Sequence, residues 1–213
     1  MYCSSRVNVE TKKLRVLEIG GAGGITKNLR PNWTVTDIRP CTGVDLIASA
    51  SRLPFESNTF DMIYGVDVLH HLNDLEAFFE ELERLLKKGG CAVFREPYWS
   101  FPAQIVWRFV HPEEFSLSKL NSVNSFKNPM EGNQALAWML LKRNSKNLAV
   151  QKAQRNLLTL GIESGLAFLL SGGANFTTKL PSGILWKIHR AELKSASWLK
   201  IFGFSVLFAY NKN

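Results

Sequence analysis

Residues 14–24, LRVLEIGGAGG, constrain this chain more than any other stretch, because an apolar strand carries an acid, Glu18, just ahead of a glycine cluster that opens a helix. A small-residue turn between strand and helix lets backbone approach a ligand closely at the carboxyl end of a parallel strand. A dinucleotide fingerprint needs G-x-G-x-x-G, and the frame that starts at Gly21 puts Thr26 where the third glycine belongs. A pyrophosphate would need only backbone N–H groups and a helix N-terminus. The carboxylate of Glu18 suits a cationic group instead.

From Leu14 to Pro97 the apolar pattern alternates. It predicts strands over 15–19, 33–38, 44–48, 60–66 and 91–95, with helices over 24–30 and 75–87. That alternation is the signature of a doubly wound, mostly parallel α/β sheet. Asn73 or Asp74 can cap the second helix, and Leu75, Phe78, Phe79, Leu82, Leu85 and Leu86 fall at helical spacing. After Pro97 the rhythm is lost. Helices are expected around 133–146, 148–160 and 182–193, and a last strand over 204–210. Residues 1–97 therefore read as a Rossmann-like ligand-binding half. Residues 98–213 read as a helical, substrate-side elaboration plus the final strand of the same domain.

Composition narrows the partners. With 213 residues, 46% hydrophobic and 21% charged, the chain suits an ordered fold. Its three cysteines include no C-x-x-C pair, so neither a disulfide framework nor a metal site is expected. The N-terminal residues lack the apolar core of a secretory signal, and no uninterrupted apolar run is long enough to span a bilayer, so a cytoplasmic location is expected. The net charge of +8 is uneven: residues 101–213 hold 14 Lys and Arg against 5 Asp and Glu. Such a basic half can face an anionic acceptor or a membrane surface, whereas the dense basic run of a nucleic-acid arm is lacking. The apolar stretches 157–170 and 198–210 read as buried core in preference to lipid contact.

Three further motifs follow the glycine turn in order. Thr34-Val35-Thr36-Asp37-Ile38 is a strand that ends in an acid 17 residues after Gly20, suited to accept hydrogen bonds from both hydroxyls of a ribose. Next come Leu53-Pro54-Phe55 with Phe60-Asp61, then Leu69-His70-His71, and finally Lys88-Gly89-Gly90 followed by Glu96-Pro97. In this order and spacing the chain resembles the class I S-adenosylmethionine-dependent methyltransferases, specifically the type 11 methyltransferase domain, over about residues 14–97.

The resemblance implies that S-adenosyl-L-methionine is the cofactor. Glu18 would meet its methionine amino group, and Gly20, Gly21, Ala22 and Gly24 would wrap the methionine and ribose. Asp37 would bind the ribose hydroxyls, Ile38 would lie against the adenine, Ser49 and Ala50 would reach its edge, and Asp67 would line the methyl side. Two positions depart from the family pattern: Ala22 replaces a glycine, and Ser49 replaces an acid. The second half also resembles a subset of such enzymes with cell-envelope polysaccharide functions, through Glu96-Pro97-Tyr98, His111-Pro112-Glu113, Gly132-Asn133-Gln134-Ala135 and Leu170-Ser171-Gly172-Gly173.

Methyl transfer from a sulfonium asks chiefly for alignment and exclusion of water. A histidine near neutral pKa can take a proton from a hydroxyl acceptor. The candidates are His70, which Asp67 could orient, then His71, and His111 in the elaboration. The acceptor is read as a small molecule or glycan precursor. Two other functions compete: a nicotinamide-dependent oxidoreductase, and a non-catalytic module of the same fold motivated by Ala22 and Ser49.

Overall fold

A computed structural model describes residues 14–21, 25–109, 113–116, 128, 130–142, 148–163, 165–171 and 180–212. Seven strands form one sheet: β1 (Val16–Ile19), β2 (Thr34–Asp37), β3 (Leu46–Ile47), β4 (Phe60–Val66), β5 (Leu86–Pro97), β6 (Leu157–Glu163) and β7 (Ser205–Asn211). Their spatial order is β3-β2-β1-β4-β5-β7-β6. The pairs from β3 to β5 are parallel, and β7 runs antiparallel to both β5 and β6. The doubly wound, mostly parallel sheet expected from the alternating pattern is therefore present.

Strands buried on both faces need continuous apolar sequence, and β1 supplies it: Val16, Leu17 and Ile19 are all buried. From β1 the chain moves outward to β2 and β3, then returns to β4 on the other side of β1. That reversal opens a crevice at the carboxyl ends of β1 and β4, the place where open α/β sheets hold ligands.

Helix α1 (Ile25–Leu29) follows the glycine turn, and α2 (Leu75–Leu85) packs on the sheet. The Asp74 carboxylate accepts from Ala77 N at 2.9 Å and caps α2, whose Leu75, Phe78, Phe79, Leu82 and Leu85 are buried at helical spacing. Phe78 meets Phe94 of β5 edge-on, and Phe94 in turn packs on Phe208 of β7, so one aromatic column ties helix to sheet. Beyond β5 come α3 (Phe101–Phe109), α4 (Leu136–Leu141), α5 (Leu148–Asn156), α6 (Leu166–Leu170), α7 (Ser182–Glu192) and α8 (Ala196–Phe202).

Several elements differ from the sequence reading. Helix α2 stops at Leu85 and β5 begins at Leu86, with Lys87–Gly90 already extended. The helix expected over 148–160 ends at Asn156, because Leu157–Glu163 pairs with β7 and extends the sheet. The sequence Leu157-Leu158-Thr159-Leu160 suits either helix or strand, and tertiary pairing decides it. Helices α3, α6 and α8 are absent from the sequence reading, in which the aromatics and Pro102 around α3 resemble loop sequence. Among the described residues no helix is long and apolar enough to cross a membrane.

Candidate active site

The crevice holds a cavity of about 500 Å³, walled by residues that include Ile19, Gly20, Asp37, Ile38, Ser49, Ala50, Asp67 and His71. Parallel register puts Glu18 opposite Val35. Since side chains alternate along a strand, Glu18 and Asp37 lie on the same face of neighbouring strands. Both carboxylates are buried.

Glu18, near the carboxyl end of β1, is not part of the cavity wall but stands beside the glycine turn that is. Thr26 Oγ1 donates to its Oε1 at 2.9 Å. Its Oε2 is buried and has no hydrogen-bond partner among the described residues. Burial raises the Glu18 pKa, against the opposing hydrogen bond from Thr26. The threonine that spoils a dinucleotide fingerprint thus holds the acid in place, and the orphaned oxygen is poised for a donor such as an ammonium group.

The turn beside Glu18 has no room for side chains. Gly20 has φ of +69°, and a Cβ there would stand 2.6 Å from Val68 Cγ2. A Cβ on Gly21 would stand 2.2 Å from Val35 Cγ1 and 3.2 Å from Glu18 Oε2. Gly20→Ala is therefore expected to lower stability by about 1–3 kcal/mol, the cost of a non-glycine residue in a left-handed conformation, and to weaken any ligand held at this wall. Thermal unfolding checks this, and an unchanged melting temperature would contradict it. Ala22 and Gly24 lie outside the described residues.

Asp37 ends β2 at the cavity wall, and its Oδ1 accepts from Arg39 N at 2.8 Å. Ile38 beside it is 55% exposed, an apolar surface open to a ligand's flat face. Ser49, Ala50 and Ser51 form another part of the wall, next to the point where Ala48 N donates to the Asp37 carbonyl at 2.9 Å. The LPF segment is what fixes that part. Leu53 is buried, its N donates to Glu81 Oε1 at 2.6 Å, and Arg84 of α2 donates to the carbonyls of Leu53 and Phe55. Glu81 and Arg84 also bind each other, at 2.7 Å.

A second cavity of about 260 Å³ adjoins the first, and Asp67 and His71 belong to both. Its wall adds His70, Glu113 and Gln134 to an apolar side made of Pro97, Trp107, Phe168 and Phe204. Asp67 follows β4 with φ of +51°, a left-handed conformation that Asp tolerates better than most residues. Desolvation at the crevice floor and the nearby Glu96 carboxylate push its pKa up to about 6, although Arg95 opposes them.

His70 is buried between two carboxylates. Its Nδ1 lies 2.7 Å from Glu96 Oε2, and its Nε2 lies 3.3 Å from Glu113 Oε2. Burial by itself would lower its pKa, but Glu96 and Glu113 outweigh that and raise it to about 10. Both ring nitrogens face carboxylates, an arrangement that favours the doubly donating imidazolium, which has no lone pair with which to take the proton that the sequence reading gave to His70. Glu96 is fully buried, and its Oε1 also accepts from Val68 N at 2.9 Å and Leu69 N at 2.8 Å. Gln134 Nε2 donates to Glu113 Oε2 at 2.5 Å. Gly132 closes over the group, where a Cβ would stand 2.7 Å from Glu113 Oε2 and 2.8 Å from His70 Cδ2.

His71 has the opposite character. Its ring lies 4.2 Å from that of His70, and its Nδ1 is 3.0 Å from the carbonyl oxygen of Glu131. Burial and the His70 charge lower its pKa. A neutral His71 that donates from Nδ1 keeps a lone pair on Nε2. His70, His71 and Glu113 also bring ligand-type atoms within 4.8 Å of one another, a spacing a metal ion can use, but hydrogen bonds already engage His70 and Glu113. His111 lies outside the described residues. In the sequence Glu96, Glu113 and Gln134 stand only in short motifs, where nothing local points to a role for their side chains.

This sheet order, with one antiparallel strand next to the last, and this crevice define the class I methyltransferase fold. Residues 17–94 match the family model described as a methyltransferase domain. Over 114 residues it is 30% identical to the probable phthiotriol/phenolphthiotriol dimycocerosates methyltransferase 2 of Mycobacterium ulcerans (strain Agy99), a match covering 45% of this chain and 44% of that one. It is 31% identical over 114 residues to the phthiotriol/phenolphthiotriol dimycocerosates methyltransferase 1 of the same organism, covering 45% and 42%. These matches span less than half the length of either relative. The solved structure of a SAM dependent methyltransferase from Archaeoglobus fulgidus has a TM-score of 0.55 and 15% identity, covering 98% of this chain and 90% of that chain, and shares the fold.

Proposed function

We propose that the protein transfers a methyl group from S-adenosyl-L-methionine to a neutral or cationic small molecule with an apolar body. One observation carries this reading: a buried, unpartnered Glu18 oxygen and Asp37 lie at adjacent strand ends beside a cavity of about 500 Å³ that meets a second, smaller one at Asp67 and His71. The residues present fit the cofactor. Glu18 would hold its amino group, Asp37 its ribose hydroxyls, and Ile38 with Ser49 and Ala50 its adenine. When bound, it supplies a methyl carbon already activated by the sulfonium.

The second cavity is read as the acceptor site. Trp107, Phe168, Phe204 and Pro97 would take an apolar body, whereas Asp67 and Glu113 disfavour an anionic group. Glu113 has a lowered pKa, with His70 and Gln134 offsetting its burial, and so stays charged near neutrality. That charge weighs against a phosphate-bearing glycan precursor, although the second half of the chain is basic overall. The two relatives named for phthiotriol dimycocerosates support a lipid-like acceptor. His71 Nε2 is assigned the acceptor proton, with the His70 charge holding His71 neutral. A nicotinamide-dependent activity is disfavoured, because Glu18 would sit where a dinucleotide's phosphates need positive charge.

Methyl transfer from labelled S-adenosylmethionine to a panel of apolar alcohols and amines, set against sugar phosphates, tests this reading. Label is expected in apolar acceptors, and His71→Ala should lower kcat by roughly 100-fold for a hydroxyl acceptor, the lower range for general-base catalysis. Label found only in sugar phosphates would overturn the acceptor class.

A further inference from the structure

The helices after β5 leave an apolar, basic surface that neither cavity uses. On α3, Phe101, Ile105 and Phe109 recur every four residues, which stacks them on one side of the helix. They are exposed, Phe109 to 80%. Helix α3 packs against α8, and α8 against α7. On α8, Trp198, Ile201 and Phe202 are exposed, unlike the buried core expected from the sequence there, and on α7 Ile184 and Trp186 are, Trp186 to 60%. A soluble face seldom shows so many large apolar groups on neighbouring elements.

The charges on these elements have one sign. Arg108, Lys187, Arg190 and Lys200 are exposed on them, and Lys194 is exposed in the turn between α7 and α8. The single acid of the three helices, Glu192, is turned inward, where it accepts from the backbone N–H groups of Leu166 and Ala167. Exposed Trp and Phe interspersed with Lys and Arg, without outward acids, match what the interface of an anionic bilayer offers: a shallow apolar layer beneath negative headgroups. A protein partner would need acids of its own arranged to fit; a lipid surface needs only the mixture.

We infer that the face formed by α3, α7 and α8 docks the protein on an anionic membrane surface. Docking there bears on the acceptor as well. Helix α3 points Phe101, Ile105 and Phe109 outward while Trp107, on its other side, walls the second cavity. The helix that meets the bilayer thus also borders the site assigned to the acceptor. The inference stands on the surface and not on the methyl-transfer reading, and its test requires no activity.

Flotation of the intact protein with phosphatidylcholine vesicles, alone or with about 30% phosphatidylglycerol, reads it directly. Binding is expected on the anionic vesicles and little on the neutral ones, weakening as salt rises. Reversing Lys187, Arg190 and Lys194 to glutamate should weaken binding by roughly 10-fold or more at an unchanged melting temperature. In the wild type, brominated lipid should quench tryptophan fluorescence. Absence of flotation on anionic vesicles, or equal binding by the charge-reversed variant, would overturn the inference. So would a wild-type dimer in sedimentation velocity that Trp186→Glu dissociates, since that would assign the face to a second copy of the chain.

Discussion

Replacing Glu96 with alanine is expected to cost about 3–5 kcal/mol of folding stability, the range for leaving a buried charge without its partner. The carboxylate is fully buried and accepts three hydrogen bonds, from Val68 N, Leu69 N and His70 Nδ1. Without it two backbone donors and an imidazolium lose their acceptor at once. The pH dependence gives an independent check. Because the folded pKa of His70 is raised to about 10, while an unperturbed histidine has a pKa of about 6.5, its contribution is complete below the lower value. It fades as pH rises towards the upper one. Denaturant unfolding at several pH values across that window should show a decline for the wild type that flattens in Glu96→Ala. An unchanged midpoint and an unchanged slope with pH would mean that Glu96 and His70 do not act as a pair.

The second large effect falls on ligand affinity. Asp37→Ala is expected to weaken S-adenosylhomocysteine binding by about 1.5–3 kcal/mol, the range for hydrogen bonds to a charged group, or roughly 10- to 150-fold in Kd. Asp37→Asn keeps one acceptor and should fall between. Asp37 also holds Arg39 N, so thermal unfolding must accompany the calorimetric titration to separate a loosened β2 tip from a lost contact. Equal affinity in wild type and Asp37→Ala would remove the carboxylate from the site.

What could be read from the sequence is what lies close together in it. Glu18, Gly20 and Thr26 span nine residues, and the Asp37 strand follows within two dozen, so a single pass along the chain puts them in one crevice. LPF was legible as a motif but not as a mechanism: its bonds run to Glu81 and Arg84, on a helix whose buried side alone is visible from spacing. The His70 group was the least legible. Its members come from four places, His70, Glu96, Glu113 and Gln134, and nothing local to a Leu-His-His run distinguishes an exposed base from a cation enclosed by two carboxylates. His71, one residue on, takes the neutral state instead, because burial and its charged neighbour both act on it. Strand β6 was hidden for a related reason, since only β7, almost fifty residues later, makes Leu157–Glu163 extended.

The central claim is that Glu18 and Asp37 hold the amino group and the ribose of one donor molecule, and a crystal structure of the protein with S-adenosylhomocysteine tests it most directly. The account predicts the ligand's amino group within hydrogen-bond distance of Glu18 Oε2, its ribose hydroxyls on Asp37, and its sulfur facing Asp67 and His71. A ligand bound elsewhere, or one whose ribose avoids Asp37 while Glu18 Oε2 stays unpartnered, would contradict it.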